Sequence, residues 1–584
     1  MPKIDLKKIR HSCSHLLATA IQDLYPKTRF GIGPAIEQGF YYDFDLPQKI
    51  SENDLVKIEK KMKALAKKNL KFEKKEVKID EAEEMMKKAG QPYKAELVKE
   101  LKKEGKKKVI FYKLGDFIDL CEGPHLKSTK EIGSFKLLSV AGAYWRGSEK
   151  NPMLTRIYGT CFESKNALEK HLVHREEAKR RNHRKIGKNL DLFTFSDLVG
   201  PGLPLYTEKG TIIINELYKA LLEISKKYGV QEVRIPHMAK IDLYKISGHA
   251  EKFKGELLRV KSHYGLEFIL KPVNCPHHTQ IYASRPRSYR DLPIRYIEST
   301  AQHRDEKPGE IGGLTRTRSF IVDDGHTFCT MDQIKQEAIN TCKIIEEFYK
   351  GAGLWGNQWI SLSIRDPKTP EKYIGEEPDW KKAEKMVQEI SNELKLKGKV
   401  MVGEAAIYGP KIDYMSKDSL GNDHQLGTVQ IDFAMPKRFG LTYVDKDGKE
   451  KTPVMLHRAI MGSYERFIAF LLEHFDGALP VWLSPVQVAV IPITDNHNPY
   501  AQKIHQSLIE AGIRAELNDR SNTVSAKIRD AEIQKIPYML IVGDREVRAK
   551  KVNVRTRGEK VLGTMSLGAF LKRISQDIDK KRPV

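Results

Sequence analysis

Residues 294–328 read IRYIESTAQHRDEKPGEIGGLTRTRSFIVDDGHTF. Two strand-like runs, RYIEST and SFIVDDGHTF, flank a loop marked by Gly and Pro, so a hairpin is predicted. One arm ends in His303-Arg304-Asp305-Glu306 and the other begins Thr315-Arg316-Thr317-Arg318-Ser319-Phe320. Guanidinium groups fixed on such a hairpin suit phosphate oxygens, because their planar forks donate paired hydrogen bonds. Taken alone, the same pattern also describes an arginine-rich hairpin turned to solvent.

The block around it, residues 189–480, alternates strand-like runs (EVRIP, RYIEST, SFIVDDGHTF, GTVQIDF) with helices such as Glu216 to Tyr228 and Met331 to Lys350. That order predicts α+β structure on antiparallel strands. Gly462-Ser463-Tyr464-Glu465-Arg466 opens an apolar helix whose first backbone N–H groups can approach a nucleotide. Neither GxxxxGK[ST] nor GxGxxG occurs, so an ATP site here is not a P-loop or a Rossmann site. Cys275 in KPVNCPHH, His326 in FIVDDGHTF and His457 in VMLHRAIMGSYERF lie far apart in sequence, and a lone Cys or His is more often core than ligand. After Leu483-Ser484-Pro485, the runs VQVAVIPI, IRAELND, YMLIVG and KVNVRTR alternate with helices Asn498 to Ala511 and Ser525 to Lys535, a compact α/β domain of doubly wound pattern.

Upstream, the aromatics after Gly39 in FGIGPAIEQGFYYDFD predict a strand. Residues 51–108 are dense in lysine, and Leu55, Ile58, Met62 and Leu65 keep a helical period, giving an amphipathic helix with a basic outer face. Residues 109–160 return to short strands and turns, and a charged helix over Asn166 to Lys188 reads as a connector.

Composition narrows the partners. The 584 residues suggest roughly three to five domains. A net charge of +24 favours a polyanion, since Lys and Arg release counterions from phosphates. No stretch nears the ~20 apolar residues that span a bilayer, and MPKIDLKKIR has no apolar core of a secretory signal. Six cysteines make no disulfide framework, so a reducing cytoplasm is expected.

A second cluster combines His11-Ser-Cys-Ser-His15 with Cys121-Glu-Gly-Pro-His125. On a helix His11 and His15 share one face. Three histidines and a thiol could hold zinc, could position and deprotonate a water without metal, or could simply pack.

These segments carry a family resemblance. The arginine hairpin resembles motif 2 of class II aminoacyl-tRNA synthetases, and the helix at 462–466 resembles motif 3. Gly210 to Pro236, a helix followed by a strand ending in proline, is similar to motif 1, which builds the dimer interface in that class. Within the class, the chain resembles the bacterial threonyl-tRNA synthetases over nearly its whole length. The shared runs are NCP with DDGH and HRAIMGSYERF, GEAAIYGPKID, GTVQIDF, HSCSH with DLCEGPH and AGAYWRG, and VGDREV with VRTRG.

The resemblance implies a multidomain architecture: an N-terminal α+β editing domain over 1–165, a linker helix over 166–188, a class II catalytic domain on an antiparallel sheet over 189–480, and an α/β anticodon-binding domain over 481–584. It implies ATP-dependent attachment of L-threonine to tRNA(Thr) through threonyl adenylate, with hydrolytic editing of mischarged seryl-tRNA(Thr), by a cytoplasmic homodimer formed through motif 1, away from membranes. Arg304 would hold the α-phosphate, Arg466 and Phe320 would sandwich the adenine, and Mg2+ with ATP would sit near Glu306. Asp324, Tyr408, Lys411, Gln430 and Ser463 would complete the substrate contacts, and Cys275, His326 and His457 would bind one Zn2+ per subunit. His11, His15, Tyr42, Lys94, Asp119, Cys121 and His125 would form the editing site, without metal, and Glu546 and Arg555 resemble residues that read the anticodon.

This division of labour has a chemical logic. Threonine and valine are nearly isosteric, and shape alone separates them by ~1–3 kcal/mol. A three-ligand zinc with an open position would accept the amino and hydroxyl groups of threonine, and valine has no hydroxyl. Serine lacks only a methyl, worth ~1 kcal/mol, so it requires a second, hydrolytic site.

Several features depart from the family pattern. Set against the resemblance, the chain is expected to start at the editing domain, without the usual ubiquitin-like domain. His277 replaces the glycine of CPGH, Val322 replaces the glutamine before the paired aspartates, and Ser319 replaces a glycine. Two rival readings follow: a zinc hydrolase, which explains only the N-terminal third, and a synthetase-like RNA-binding or regulatory paralogue without aminoacylation. Intact Arg304, Arg466 and the Cys275, His326, His457 set argue against the latter.

Overall fold

The computed structural model describes residues 5–148, 150–252, 255–418, 421–558 and 560–581. The outermost residues of the expected first and last domains, 1–4 and 582–584, lie outside the described residues. The chain divides into two compact units, Met1–Glu176 and Glu177–Val584.

In the first unit, helix Leu6–Leu24 starts at Asp5, whose side chain accepts from the Lys7 N–H. Ile9, Cys13, Leu16, Leu17 and Ala20 of this helix are buried against Phe40, Tyr42, Phe44 and Ile157. These residues belong to a sheet in which Arg29–Phe30, Gly39–Asp45, Met153–Phe162 and Ser134–Tyr144 are successive neighbours. The strand expected after Gly39 is present, yet Asp43 is buried as well as Phe40, Tyr42 and Phe44, because both faces of the strand are covered. The amphipathic helix is Asp54–Lys67, with Leu55, Ile58, Met62 and Leu65 inward. The rest of the lysine-rich segment forms strand Phe72–Lys78 and helices Ile79–Lys88 and Pro92–Lys103. That strand pairs with Lys108–Leu114, which pairs with Phe117–Leu120.

The connector is two helices, Lys165–Arg180 and His183–Asn189. The second is not a free span. His183 Nδ1 lies 2.8 Å from Glu473 Oε1, and Ile186 enters the core of the second unit.

The second unit is built on an eight-stranded sheet. Its order is Gln231–Glu232, Ile294–His303, Ser319–Cys329, Val454–Ser463, Asp423–Asp432, Lys411–Lys417, Gln358–Ile364, Lys399–Val402. The inner pairings are antiparallel, and the two outermost are parallel. The run EVRIP contributes only Glu232 to the edge strand Gln231–Glu232. Helices Glu208–Lys227, Ile334–Ala352 and Tyr464–Phe475 bury Ile213, Leu217, Ile345, Phe348, Phe467 and Leu471 in one continuous core. The opposite side of the central strands is left for a cleft.

From Val488 onward a five-stranded sheet forms, ordered Ala515–Leu517, Val488–Pro492, Tyr538–Val542, Val552–Thr556, Val561–Met565. Its first three strands are parallel and its last two antiparallel, so the α/β domain is present with a mixed sheet, and alternate residues of Val488–Pro492 pack into two separate helix-covered cores. The short turn after Arg557 folds the final strand back as a hairpin, where a parallel strand would need a long crossover. No helix of the described residues is long and apolar enough to cross a membrane.

Candidate functional site

The hairpin registers Ile294 with Phe328 through to His303 with Ser319, without a slip. Period-two alternation therefore puts Gln302, Phe320, Val322, Asp324 and His326 on one face, where all five line a cleft of about 460 Å3. Arg304, Glu306 and Arg316 line it from the loop end, and Tyr408, Gln430, His457, Ser463 and Arg466 from neighbouring elements.

Gly462 makes the strand-to-helix turn at φ +73°, where a Cβ would come within 2.6 Å of the Leu426 carbonyl oxygen. The turn lets Ser463 Oγ accept from the Arg466 N–H at 3.1 Å and cap the helix Tyr464–Phe475. Arg466 then donates to the carbonyls of Thr315 (3.1 Å) and Gln425 (3.2 Å), which holds its guanidinium at the cleft wall. The Arg304 guanidinium lies 5.4 Å from the Phe320 ring centroid. Burial lowers the pKa of both Arg304 and Arg466, and for Arg466 nearby Arg304 and Arg316 add to the effect. Three cations thus crowd one cleft, an arrangement that a polyphosphate relieves. Glu306 accepts from Arg316 Nε at 2.7 Å. Lys411 is the expected contact that does not line the cleft. Its Nζ is held by Asp413 (3.0 Å) and by Gln425 (3.3 Å), and Gln425 is the residue exposed to the cleft.

At the other end, donor atoms of Cys275, His326 and His457 lie within 4.8 Å of one another, all in buried residues. His326 Nε2 faces His457 Nδ1 at 3.1 Å. Each ring's remote nitrogen is also engaged: His326 Nδ1 lies 2.7 Å from His278 Nδ1, and His457 Nε2 lies 2.8 Å from Asp432 Oδ2. Burial holds the pKa of His326 well below the ordinary imidazole value and raises that of the Cys275 thiol. A soft thiolate and two neutral imidazoles, with their outer nitrogens held by hydrogen-bond partners, are the donor set of a three-ligand zinc site. Tyr408 stacks on His457, centroids 4.3 Å apart, and its hydroxyl donates to Gln430 Oε1 at 2.9 Å.

Sequence reading missed His278, Glu298, Asp432 and Gln302. His278 and Asp432 stand within the KPVNCPHH and GTVQIDF runs, but only strand pairing brings Asp432 against His457, and only the packing of helix Cys275–Ala283 brings His278 against His326.

The first unit carries its own cluster. His11 and His15 do share one face of helix Leu6–Leu24, and the rings of His11, His15 and His125 lie 4.2–5.3 Å apart. Cys121 Sγ is 3.2 Å from His11 Nε2 and 3.3 Å from His125 Nε2, while Ser12 Oγ lies 3.3 Å from His125 Nδ1. Buried Asp119 accepts from Tyr42 at 2.6 Å, pairs with Lys94 Nζ, and lies 3.4 Å from His15 Nε2. Burial lowers all three histidine pKa values and pushes the Cys121 thiol up to about 12, so the thiol is no nucleophile at neutral pH. All seven expected residues therefore meet in one cluster.

In the C-terminal sheet, Arg555 lies on strand Val552–Thr556 and Glu546 in helix Asp544–Ala549, whose start it caps by accepting from the Gly543 N–H at 3.1 Å. No ion pair joins Glu546 to Arg555 among the described residues.

Three domain families match: the tRNA synthetase class II core domain (G, H, P, S and T) over 258–475, the anticodon binding domain over 487–577, and the threonyl and alanyl tRNA synthetase second additional domain over 109–158. The threonine–tRNA ligase of Gloeobacter violaceus is 46% identical over 99% of this chain and 93% of its own length. The chain belongs to the threonine–tRNA ligase family. That of Clostridium tetani is 46% identical over 98% of this chain and 88% of its own. A crystal structure of the RNA binding domain of threonyl-tRNA synthetase from Cryptosporidium parvum superposes with a TM-score of 0.64, at 35% identity, over 68% of this chain and 98% of that one. As a threonine–tRNA ligase, the chain is a class II aminoacyl-tRNA synthetase whose ATP-dependent reaction attaches threonine to tRNA, with a domain of the editing type.

Proposed function

We propose that the cleft of the second unit activates threonine and that the cluster of the first unit edits seryl-tRNA(Thr). The overall reaction joins L-threonine to ATP as threonyl adenylate with release of pyrophosphate, and then transfers the threonyl group to tRNA(Thr) with release of AMP. The observation that carries the assignment is the single cleft in which Arg304, Arg466 and Phe320 stand at one end and Cys275, His326 and His457 at the other.

Within it, Arg304 binds the α-phosphate and stabilises the charge that grows there as the threonine carboxylate attacks. Phe320 and Arg466 offer planar faces to the adenine. Glu306 lies close enough to the phosphate end to help hold the Mg2+ that accompanies ATP. Cys275, His326 and His457 would hold a zinc ion, which when bound offers an open position to the amino and hydroxyl groups of threonine and so excludes valine. Asp324 accepts from the substrate hydroxyl, and Tyr408, Gln430 and Ser463 line the remaining walls. Lys411 acts through Gln425.

In the editing cluster, neutral His11, His15 and His125 position a water against the ribose ester, and Lys94 and Tyr42 keep Asp119 oriented toward His15. We assign the domains as editing 1–165, linker 166–188, catalysis 189–480 and anticodon binding 481–584, in a cytoplasmic enzyme. A homodimer through Gly210 to Pro236 accounts for the nearby exposed Phe195, Leu198, Val199 and Leu205. Threonine-dependent exchange of pyrophosphate into ATP, with and without Arg304→Ala, tests the reading. Full exchange in that variant would remove Arg304 from it.

A further inference from the structure

Val322 faces the cleft with methyl groups only, and a carboxamide reaches this wall from the neighbouring strand, that of Gln302. Register pairs Gln302 with Phe320, Thr300 with Val322 and Glu298 with Asp324. Gln302 Nε2 nevertheless donates to Asp324 Oδ2 at 3.3 Å. Asp324 stands four residues beyond Gln302's own cross-strand partner, so the glutamine side chain must run along the strands past position 322. A short β-branched residue at 322 leaves that path open, and a long one on the same face would occupy it.

Gln302 is only 3% exposed, so its amide is fixed at the cleft wall. One amide hydrogen is used on Asp324, while the second and the carbonyl oxygen have no protein partner among the described residues. A buried carboxamide with open valences at a cleft is stabilised by a ligand that fills them. His277, the other polar departure nearby, does not line the cleft, and its ring lies 6.2 Å from that of Tyr244.

We propose that Gln302 is a specificity-determining residue for threonine, holding Asp324 with one N–H and offering its remaining amide groups to the polar head of the amino acid. Position 322 serves by being short. The proposal rests on the threonine-activation reading of this cleft.

Pyrophosphate exchange on the metal-loaded full chain tests it with Gln302→Val, Gln302→Asn, Val322→Gln and the double variant Gln302→Val/Val322→Gln. Loss of one buried hydrogen bond should raise KM for threonine about tenfold in both Gln302 variants, with KM for ATP and the metal content unchanged. Val322→Gln alone should also raise KM for threonine, because two long amides compete for one path, and the double variant should recover most of the affinity. A threonine KM within twofold of wild type in Gln302→Val, a parallel loss of ATP affinity, or improved threonine affinity in Val322→Gln alone would overturn the proposal. Cys275→Ser that retains both metal and activation would instead overturn the reading of the cleft, whatever the Gln302 variants do.

Discussion

His326 and His457 oppose one another across neighbouring strands with Nε2 and Nδ1 3.1 Å apart, and the tautomer of each follows from what lies behind it. Asp432 accepts from His457 Nε2, which leaves Nδ1 as the lone-pair nitrogen. His326 Nδ1 meets His278 Nδ1, so a proton on His326 Nδ1 leaves Nε2 free toward Cys275. The accepting His278 then carries its proton on Nε2, 3.8 Å from Glu298 Oε2.

This arrangement makes a graded prediction for metal binding. Cys275→Ser should lose about one zinc per chain together with threonine activation. Asp432→Asn and His278→Ala keep all three ligands but should weaken zinc retention ~10–100-fold in a chelator challenge. Retention equal to wild type in both would show that the outer partners do not orient the ligands.

Editing should separate from activation. Replacing His11 and His15 together by alanine should leave pyrophosphate exchange intact, because both belong to the first unit, and should let seryl-tRNA accumulate. A double variant that clears seryl-tRNA at the wild-type rate removes the cluster from editing.

The pH dependence of that cluster has a definite sign. Burial lowers the pKa of His11, His15 and His125 from the ordinary 6.5, so the fold favours neutral rings. Their contribution to stability is present above pH 6.5 and is lost as pH falls toward the lowered values, because the unfolded chain takes up protons first. Deacylation of seryl-tRNA should therefore hold its rate from pH 7.5 down to about 6, while unfolding free energy declines below about pH 6.5. A deacylation profile with an apparent pKa at the free-imidazole value would contradict this.

Anticodon reading predicts a selective defect. Arg555→Ala should impair tRNA charging and leave pyrophosphate exchange unchanged, with an effect that depends on the anticodon sequence. Equal discrimination between cognate and anticodon-swapped tRNA in wild type and variant would show that Arg555 makes only a phosphate contact. Glu546 is the less separable of the pair, since its carboxylate also caps its own helix.

The sequence by itself determined the local elements and the identities of the reacting groups. The aromatic run after Gly39, the spacing of His11 and His15, the arginine hairpin and the capped turn at Ser463 each follow from periodicity or turn chemistry within a few residues. Only the tertiary structure decided which distant groups meet. His326 and His457 meet because antiparallel strands far apart in sequence pair in one register, Cys275 joins them from the start of the helix Cys275–Ala283, and a one-residue slip would turn His326 to the opposite face. The same sheet decided that Asp432 backs His457, that Gln302 reaches past Val322 to Asp324, and that Lys411 stops at Gln425, while packing of the helix Cys275–Ala283 on it brings His278 to His326. Those relationships are set by long-range strand pairing and burial, which periodicity along one segment does not encode.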